Sequence, residues 1–223
     1  MKFLTEHYKG MYIIVNCAMS LDGKLALNTR KQTRISCEED IIRVHNLRNS
    51  VDGVLVGVGT VLADDPKLTV KEKYVAHPRQ PARIVLDSHG RTPENAHVLD
   101  GAAKTIIITS EECTKNFRNA TMLRCGRGRV DIVKATEELE KLGIRRMLVE
   151  GGGTVIWEFL SKRLVDEINV YVGSMVIGGR NAPTMADGKG AWSIDEIVHL
   201  NLISYEKLGN GVLLKYQLEK SGK

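Results

Sequence analysis

Short apolar runs, each bounded by turn residues, recur along the chain and limit what it can fold into. Near-continuous apolar strands of this kind are typical of a sheet covered on both faces. Helical patterns separate them. Ser36-Cys37-Glu38-Glu39 reads as a capping box that opens a helix through about Asn49, and helices are predicted over 130–142 and 154–163. Strand alternating with helix predicts right-handed crossovers and a largely parallel sheet. The predicted buried strands cover residues 12–15, 54–56, 83–86, 105–108 and 147–149.

The C-terminal part of the sequence changes character. Residues 167–173 read as a strand with no clear helix after it. Two further strand patterns, 199–206 and 212–218, flank Gly209-Asn210-Gly211, which is a strong hairpin signal. We therefore expect an α/β fold whose mixed, mostly parallel sheet ends in an antiparallel hairpin. Because 223 residues suit one such domain and no linker is apparent, 1–223 is predicted to be a single domain.

The net charge of +5 admits two classes of protein, a nucleic-acid binder and an enzyme for phosphorylated ligands. The basic residues are scattered apart from Arg127-Gly128-Arg129, with which no aromatic residues interleave, and this disfavours nucleic acid. The four cysteines lack the spacing of a zinc site, so we predict reduced thiols and no metal. The charged N-terminus predicts no signal peptide and no apolar run is long enough for a bilayer, so a cytoplasmic protein without membrane contact is expected.

Glu150-Gly151-Gly152-Gly153-Thr154 follows a predicted strand and opens a predicted helix. Three glycines let a ligand approach the backbone closely, and a helix N-terminus presents free N–H groups to an anion such as a pyrophosphate. The alternative is a tight strand–helix turn, but three consecutive glycines at the carboxyl end of a strand favour ligand binding. A carboxylate that ends an apolar strand has few structural reasons to be there, which makes Glu150 a candidate site residue.

A second glycine-containing turn covers residues 57–66. Gly57 and Gly59 clear space beside a strand end, and Thr60 and Asp64 would share one face of a helical turn. The third glycine of the Rossmann fingerprint is missing. The alternative interpretation is a plain helix start that stops at Asp65-Pro66.

The turn Ser20-Leu21-Asp22-Gly23-Lys24 follows the first predicted strand. It places a carboxylate and an ammonium group two residues apart. Such a pair is able to transfer protons if it is partly desolvated, although it is more often a solvated turn. Asp22 and Lys24 are therefore candidates, with that alternative open.

Five segments together resemble the reductases of the riboflavin pathway, in the same order. That family includes the reductase half of bacterial bifunctional deaminase-reductases and stand-alone archaeal and fungal enzymes. The likeness covers about residues 12–218. Thr-Val-Leu-Ala-Asp-Asp-Pro, 60–66, is specific together with the other segments, although no single segment would be. It implies a dihydrofolate-reductase-like fold, a homodimer, and NADPH or sometimes NADH as cofactor. The segments are 20–24, 34–36, 59–66, 84–88 and 150–154.

The resemblance also implies which residues form the site. Arginine suits the 2′-phosphate of NADPH, so Arg91 is the first candidate there, followed by the cluster Arg127-Gly128-Arg129; solvated surface arginines are the alternative. Lys71 and Gln32 depart from the bacterial pattern, which has arginine and serine, so the phosphate and sugar contacts stay open. Implied cofactor contacts are Arg34, Thr60, Asp64, Ser88, Gly151, Gly152, Gly153 and Thr154, and implied substrate contacts are Gln32, Arg48, Leu68, Lys71 and Glu150. Gly128, inside the arginine cluster, is a further candidate for the cofactor site.

The implied reaction is hydride addition at C1 of a ribose whose ring has opened to an imine. Opening needs a proton on the ring oxygen, and the imine gains from a nearby negative charge. Lys24 is the predicted proton donor and Glu150 the predicted carboxylate, with Asp22 placed to orient Lys24. Arg48 and Lys71 would hold the 5′-phosphate.

The motifs of the bacterial deaminase half, H-x-E with P-C-x-x-C, do not occur in this sequence. We therefore expect a stand-alone reductase that acts before deamination, on 2,5-diamino-6-ribosylamino-4(3H)-pyrimidinone 5′-phosphate. Two alternatives remain: reduction of the deaminated uracil compound or of a pterin or folate on the same fold, and a basic nucleic-acid-binding protein. The expected binding of a phosphate by Arg48 and Lys71 argues against a pterin, which carries no sugar phosphate.

Overall fold

The computed structural model describes residues 10–31 and 33–219, and within these ranges the chain forms nine strands and four α-helices. The strands are β1 Tyr12–Ser20, β2 Gly53–Gly57, β3 Ala82–Leu86, β4 Thr105–Thr109, β5 Thr121–Arg124, β6 Arg146–Gly151, β7 Glu167–Gly173, β8 Leu200–Leu208 and β9 Gly211–Leu218. The helices are α1 Glu38–Asn49, α2 Val58–Asp64, α3 Ile132–Lys141 and α4 Gly153–Ser161.

The strands form one sheet in the order β5-β4-β3-β2-β6-β1-β7-β9-β8. Each neighbouring pair from β5 to β7 is parallel, whereas β9 pairs antiparallel with both β7 and β8. Gly209, in the left-handed region with φ +57°, makes the turn between β8 and β9. The predicted fold class is thus confirmed, including the antiparallel hairpin at the C-terminal end.

Both faces of the sheet are buried along its central strands, as the continuous apolar runs predict, whereas the edge strand β8 is largely exposed. On β1, Ile13 and Val15 belong to a core shared with α3 and α4. Ile14, between them, belongs to a second core that includes the apolar side of α2. Burying one such side chain fully stabilises the fold by roughly 1.5–3 kcal/mol. Because consecutive residues meet different cores, the central strands do not alternate between apolar and polar.

The start of α1 differs from the predicted capping box by one residue. Cys37 is the N-cap, and its Sγ accepts the backbone N–H of Asp40 at 3.4 Å. The Ser36 hydroxyl instead donates to the carboxylate of Asp40 at 2.5 Å, and Arg43 Nε donates to the same carboxylate at 2.8 Å. The capping-box prediction is wrong because the buried Asp40, not Glu39, occupies the third helical position and binds the neighbouring side chains.

Two strands, β1 and β5, differ markedly from prediction. β1 continues past the predicted 12–15 to Ser20, through the buried polar Asn16, whose amide oxygen accepts a hydrogen bond from Arg43 Nη2 at 2.7 Å. β5 was not predicted, because its four residues include the exposed polar ends Thr121 and Arg124. The extension of β1 matters most, since it carries the turn at 20–24 to the same sheet edge as the ends of β2, β3 and β6.

Candidate active site

A cleft of about 1570 Å³ opens at the sheet edge where the parallel strands end. A pocket for one small molecule usually measures roughly 300–1,000 Å³, so this cleft has room for two ligands side by side. The turns that follow β2, β3 and β6 contribute to its lining, together with part of the long connection between β7 and β8. That part, residues 180–188, is called the closing segment below.

Each of the three glycines after Glu150 is required by a different feature. A Cβ on Gly151 would lie 2.9 Å from Thr60 Oγ1. Gly152 has φ +75°, in the left-handed region that favours glycine. Gly153 begins α4, and a Cβ there would lie 2.8 Å from a carboxylate oxygen of Asp187. The loop is a backbone cradle at a helix N-terminus, which fits the pyrophosphate of a dinucleotide.

The turn after β2 lies against this cradle. A Cβ on Gly57 would be 2.8 Å from Val155 Cγ2, so the glycine lets β2 approach α4 closely. Thr60 and Asp64 lie one turn apart on α2, and both line the cleft. Asp65 ends the helix in the left-handed conformation, φ +41°. The segment is therefore a helix start, as the alternative interpretation had it, and its polar face also borders the cleft.

Glu150 forms a two-point ion pair with Arg48 of α1. Arg48 Nε donates to one carboxylate oxygen at 2.8 Å, and Nη2 donates to the other at 2.6 Å. The side chains are only 18% and 10% exposed. Burial alone would lower the pKa of Arg48, but the adjacent Glu150 carboxylate outweighs it and raises that pKa. The sequence placed both residues in the site but did not indicate that they pair.

Lys71 and Leu68 line the same cleft, and a neighbouring histidine holds their loop. The Nδ1 of His45 accepts the backbone N–H of Lys71 at 3.3 Å, and its ring stacks on Tyr74 with 4.5 Å between centroids. Burial, helped by the positive charges of Arg48 and Lys71, lowers the pKa of His45 to about 4. The ring is thus neutral at pH 7 and able to accept the hydrogen bond. Sequence reasoning missed His45, because a lone histidine in a helix gives no signal.

The turn after β1 separates the two residues that the sequence analysis had paired. The Asp22 carboxylate accepts hydrogen bonds from the Ser20 hydroxyl at 2.6 Å and from the backbone N–H groups of Ile177 at 3.0 Å and Gly178 at 2.7 Å. The bond from Ser20, followed by that from Ile177, contributes most to lowering the pKa of Asp22 to about 2. Lys24 Nζ donates to the carbonyl of Ala182 in the closing segment at 3.4 Å. Among the described residues, the cleft lining includes Ala182 but neither Asp22 nor Lys24.

Ser88 and Arg91 line the cleft beyond β3. The Ser88 hydroxyl accepts the backbone N–H of Val130 at 3.1 Å. Arg129 lines the same region, with Nη2 3.6 Å from a carboxylate oxygen of Glu158. The structure therefore brings two of the three candidate arginines to one end of the cleft.

The three remaining predicted site residues, Arg34, Gly128 and Gln32, are not brought together by the structure. Arg34 lines the cleft and pairs with Glu38 at 2.8 Å on an exposed surface. The backbone N–H of Gly128 donates to Glu112 at 2.9 Å, and Gly128 is not among the described lining residues. Gln32 lies outside the described residues.

The closing segment is the part of the cleft that the sequence analysis missed altogether. It is rich in turn residues, it ends at Gly188, and glycines 178, 179 and 190 flank it; all four of these glycines have positive φ. A long, glycine-rich connection inside a compact domain often forms a functional loop, so the glycines in this part of the sequence could have indicated it.

Other classes of site find little support in residues 10–31 and 33–219. No three His, Cys, Asp or Glu side chains in these ranges are grouped so as to hold a metal ion. All four cysteines are free thiols. Within the same ranges, each helix is too short or too polar to cross a bilayer.

Solved structures share this fold. A deaminase/5-amino-6-(5-phosphoribosylamino)uracil reductase from Thermotoga maritima aligns over 94% of this chain, with a TM-score of 0.78 and 24% identity, and the chain spans 57% of that protein. A riboflavin biosynthesis reductase from Saccharomyces aligns over 94% of this chain and 90% of its own, with a TM-score of 0.72 and 25% identity. The fold is the dihydrofolate-reductase-like fold of these reductases.

Sequence comparison is more specific. The family model described as RibD C-terminal domain matches residues 11–214, and the chain belongs to that family. A protein of Archaeoglobus fulgidus is 45% identical over 190 residues, 80% of this chain and 87% of its own length. One from Methanothermobacter thermautotrophicus is 39% identical over 213 residues, 93% of this chain and 98% of its own. Both are named 2,5-diamino-6-ribosylamino-4(3H)-pyrimidinone 5′-phosphate reductase.

Proposed function

We propose that this chain is a reductase of riboflavin biosynthesis. It reduces the ribosylamino group of 2,5-diamino-6-ribosylamino-4(3H)-pyrimidinone 5′-phosphate to a ribitylamino group, with NADPH as reductant. The observation that carries the proposal is a cleft with a glycine cradle and the Arg48–Glu150 pair, in a chain 45% identical to a reductase of this name. The proposal takes residues 1–223 as one reductase domain.

The proposed cofactor is a nicotinamide dinucleotide, and the cradle fits it because three glycines leave the backbone at the start of α4 without side chains. Residues 151–154 would hold the pyrophosphate, with Thr60, Asp64, Ser88 and Arg34 beside the rest of the molecule. When bound, the dinucleotide supplies a hydride. NADPH is proposed over NADH because Arg91 and Arg129 line the cleft near Ser88. A 2′-phosphate carries about 1.5 to 2 negative charges and is bound well by arginine.

The proposed substrate end of the cleft is the part lined by Arg48, Leu68, Lys71 and Glu150. Of the five guanidinium N–H groups of Arg48, two bind Glu150 and one on Nη1 donates to the carbonyl of Thr69 at 3.3 Å, which leaves two for a ligand. Together with the ammonium of Lys71 the guanidinium can therefore hold the 5′-phosphate. Glu150 can accept hydrogen bonds from sugar hydroxyls on the side that faces the cleft.

Two side chains are proposed to act on the sugar. Opening transfers a proton, overall, from the glycosidic nitrogen to the ring oxygen; hydride then adds to C1 and a proton returns to nitrogen. Lys24 is the proposed donor to the ring oxygen, since its Nζ donates to the carbonyl of Ala182, which lines the cleft. Glu150 would stabilise the positive charge that develops at C1. Positioned acid–base groups of this kind contribute roughly 10²–10⁴-fold to the rate.

A direct assay tests the proposal. The purified chain is given NADPH and the diamino phosphate, the loss of NADPH absorbance is followed, and the product is checked for two added hydrogens by mass spectrometry. Parallel reactions use the deaminated uracil phosphate and dihydrofolate. We expect the fastest turnover with the diamino phosphate and none with dihydrofolate. Preferred turnover of dihydrofolate, or salt-sensitive duplex binding without NADPH binding, would overturn the proposal.

A homodimer is proposed from the resemblance and from the surface of β8. Leu202, Ile203 and Tyr205 are 51%, 56% and 73% exposed on this edge strand. Exposed apolar edge strands readily pair with another chain. Light scattering should give twice the chain mass for the wild type and the monomer mass for Ile203→Lys, with Arg118→Glu as a surface control. A monomeric wild type would refute the dimer.

The cytoplasm is the proposed location, because the function is biosynthetic and the four thiols are free. Fractionation of cells that produce the protein tests this. Recovery in a membrane or exported fraction would contradict it.

A further inference from the structure

The turn after β1 is fastened to the connection that follows β7 at several points. The backbone N–H of Leu21 donates to the carbonyl of Met175 at 2.8 Å, and that of Leu25 donates to Pro183 at 2.8 Å. Lys24 and Thr184 form an isolated antiparallel bridge. These contacts join two loops that lie more than 150 residues apart in the sequence.

Asp22 occupies the middle of this junction. Its two carboxylate oxygens accept hydrogen bonds from the backbone N–H groups of Ile177 and Gly178, and the Ser20 hydroxyl donates to one of these oxygens. Two consecutive N–H groups can converge on one carboxylate because the chain bends sharply there. Gly178 and Gly179 have φ of +72° and +85°, which a residue with a side chain rarely adopts. Asp22 therefore binds a bend, not a neighbouring ammonium group.

The far end of the same connection rests on the glycine cradle. Asp187 accepts the backbone N–H of Thr184 at 3.1 Å and its hydroxyl at 2.5 Å, which makes a compact turn. This turn lies so close to the first residue of α4 that a Cβ on Gly153 would be 2.8 Å from the Asp187 carboxylate. The closing segment thus reaches from the bend held by Asp22 to the proposed pyrophosphate site.

We infer that Asp22 is a positioning residue that holds the bend at 177–178 and thereby keeps the closing segment against the glycine cradle. The inference rests on the proposed function in one respect, that the cradle binds a nicotinamide dinucleotide. A positioning role, instead of a role in proton transfer, then explains why an aspartate occupies this turn. Both carboxylate oxygens are already used on the backbone of the connection, and Lys24 is placed by Ala182 instead.

Asp22→Asn is the sharpest test, because it keeps the size of the side chain but replaces one acceptor oxygen with a donor that faces a donor. Asp195→Asn is the matched control, an equal charge change on an exposed residue of the same connection. Hydrogen exchange, read by mass spectrometry on peptides covering 175–184, measures the bend directly in the full chain. NADPH affinity, single-turnover hydride transfer at saturating ligands and its pH profile are measured on the same samples.

We expect exchange in the 175–184 peptides to be about tenfold faster in Asp22→Asn, the effect of one or two lost hydrogen bonds. NADPH affinity should fall by about the same factor, because a looser closing segment must be ordered on binding. The saturated hydride-transfer rate should change by less than about threefold, with an unaltered pH profile. Asp195→Asn should behave as the wild type in every measurement.

Two results would overturn the inference. One is unchanged exchange at 175–184 in a folded Asp22→Asn protein. The other is a slow hydride-transfer step with a shifted alkaline limb, which is the signature of a role in proton transfer. A wild type that does not bind NADPH would instead refute the proposed function, and the exchange measurement would still decide whether Asp22 holds the bend.

Discussion

The Arg48–Glu150 pair gives the prediction with the clearest magnitude. Glu150→Gln removes the negative charge and leaves the guanidinium, only 18% exposed, without its counter-ion. Breaking a buried pair by removing one partner costs about 3–5 kcal/mol, and the amide oxygen that remains places this change near the lower end. In a chain of this length, a loss of about 3 kcal/mol lowers Tm by roughly 6–12 °C.

Calorimetry of three variants tests this value. Glu138→Gln is the control, because its partner Lys141 lies on an open surface where a pair contributes about 0–1 kcal/mol. The double variant Arg48→Met/Glu150→Gln leaves no unpaired charge at this position and should regain most of the lost stability. A Glu150→Gln protein that melts within about 2 °C of the wild type would refute the electrostatic reasoning.

The same samples separate stability from chemistry. Single-turnover hydride transfer is measured well below the Tm of Glu150→Gln, so that all the protein is folded. If Glu150 acts on the sugar, this rate falls far more than NADPH affinity does. Hydride transfer at the wild-type rate in folded Glu150→Gln would show that the carboxylate serves only to neutralise Arg48.

Three further predictions concern neighbouring parts of the cleft. Gly152→Val should weaken NADPH binding by at least about 100-fold in a fluorescence titration, since the φ of +75° disfavours a side chain and the proposed pyrophosphate contact needs the bare backbone. Gly143→Val, with φ +88° and open space around it, is the strain control. Unchanged affinity in Gly152→Val would remove the loop from the site. Arg91→Ala should lower the preference for NADPH over NADH by about tenfold. Arg127 pairs with Glu111, so Arg127→Ala should leave the preference unchanged. An unaltered preference in Arg91→Ala would leave Arg129 as the candidate. The pKa of His45 falls from 6.5 to about 4 on folding, so the folded state binds fewer protons and stability is lost as pH drops from about 6.5 towards 4. His45→Phe keeps the stacking on Tyr74 but should flatten this part of the curve of Tm against pH. An equally steep curve would contradict the assignment.

The sequence by itself determined the parts of this protein that depend on local patterns. Apolar runs without alternation predicted a sheet buried on both faces, and Gly209-Asn210-Gly211 predicted the hairpin, because both signals lie within a few neighbouring residues. The sequence also predicted the glycine loop at 151–153, because a strand end followed by three glycines already specifies a backbone cradle. The resemblance then indicated most of the residues that line the cleft.

Only the tertiary structure decided which side chains meet. Arg48 and Glu150 are 102 residues apart and Asp22 and Ile177 are 155 apart, and no periodicity relates them. The contact of Asp22 with Ile177 follows from the strand order, which sets β7 beside β1. Asp22 and Lys24 illustrate the difference. They lie two residues apart in sequence, which suggested a pair. In the structure they bind different partners on the connection after β7: the Asp22 carboxylate accepts the backbone N–H of Gly178, and Lys24 Nζ donates to the carbonyl of Ala182.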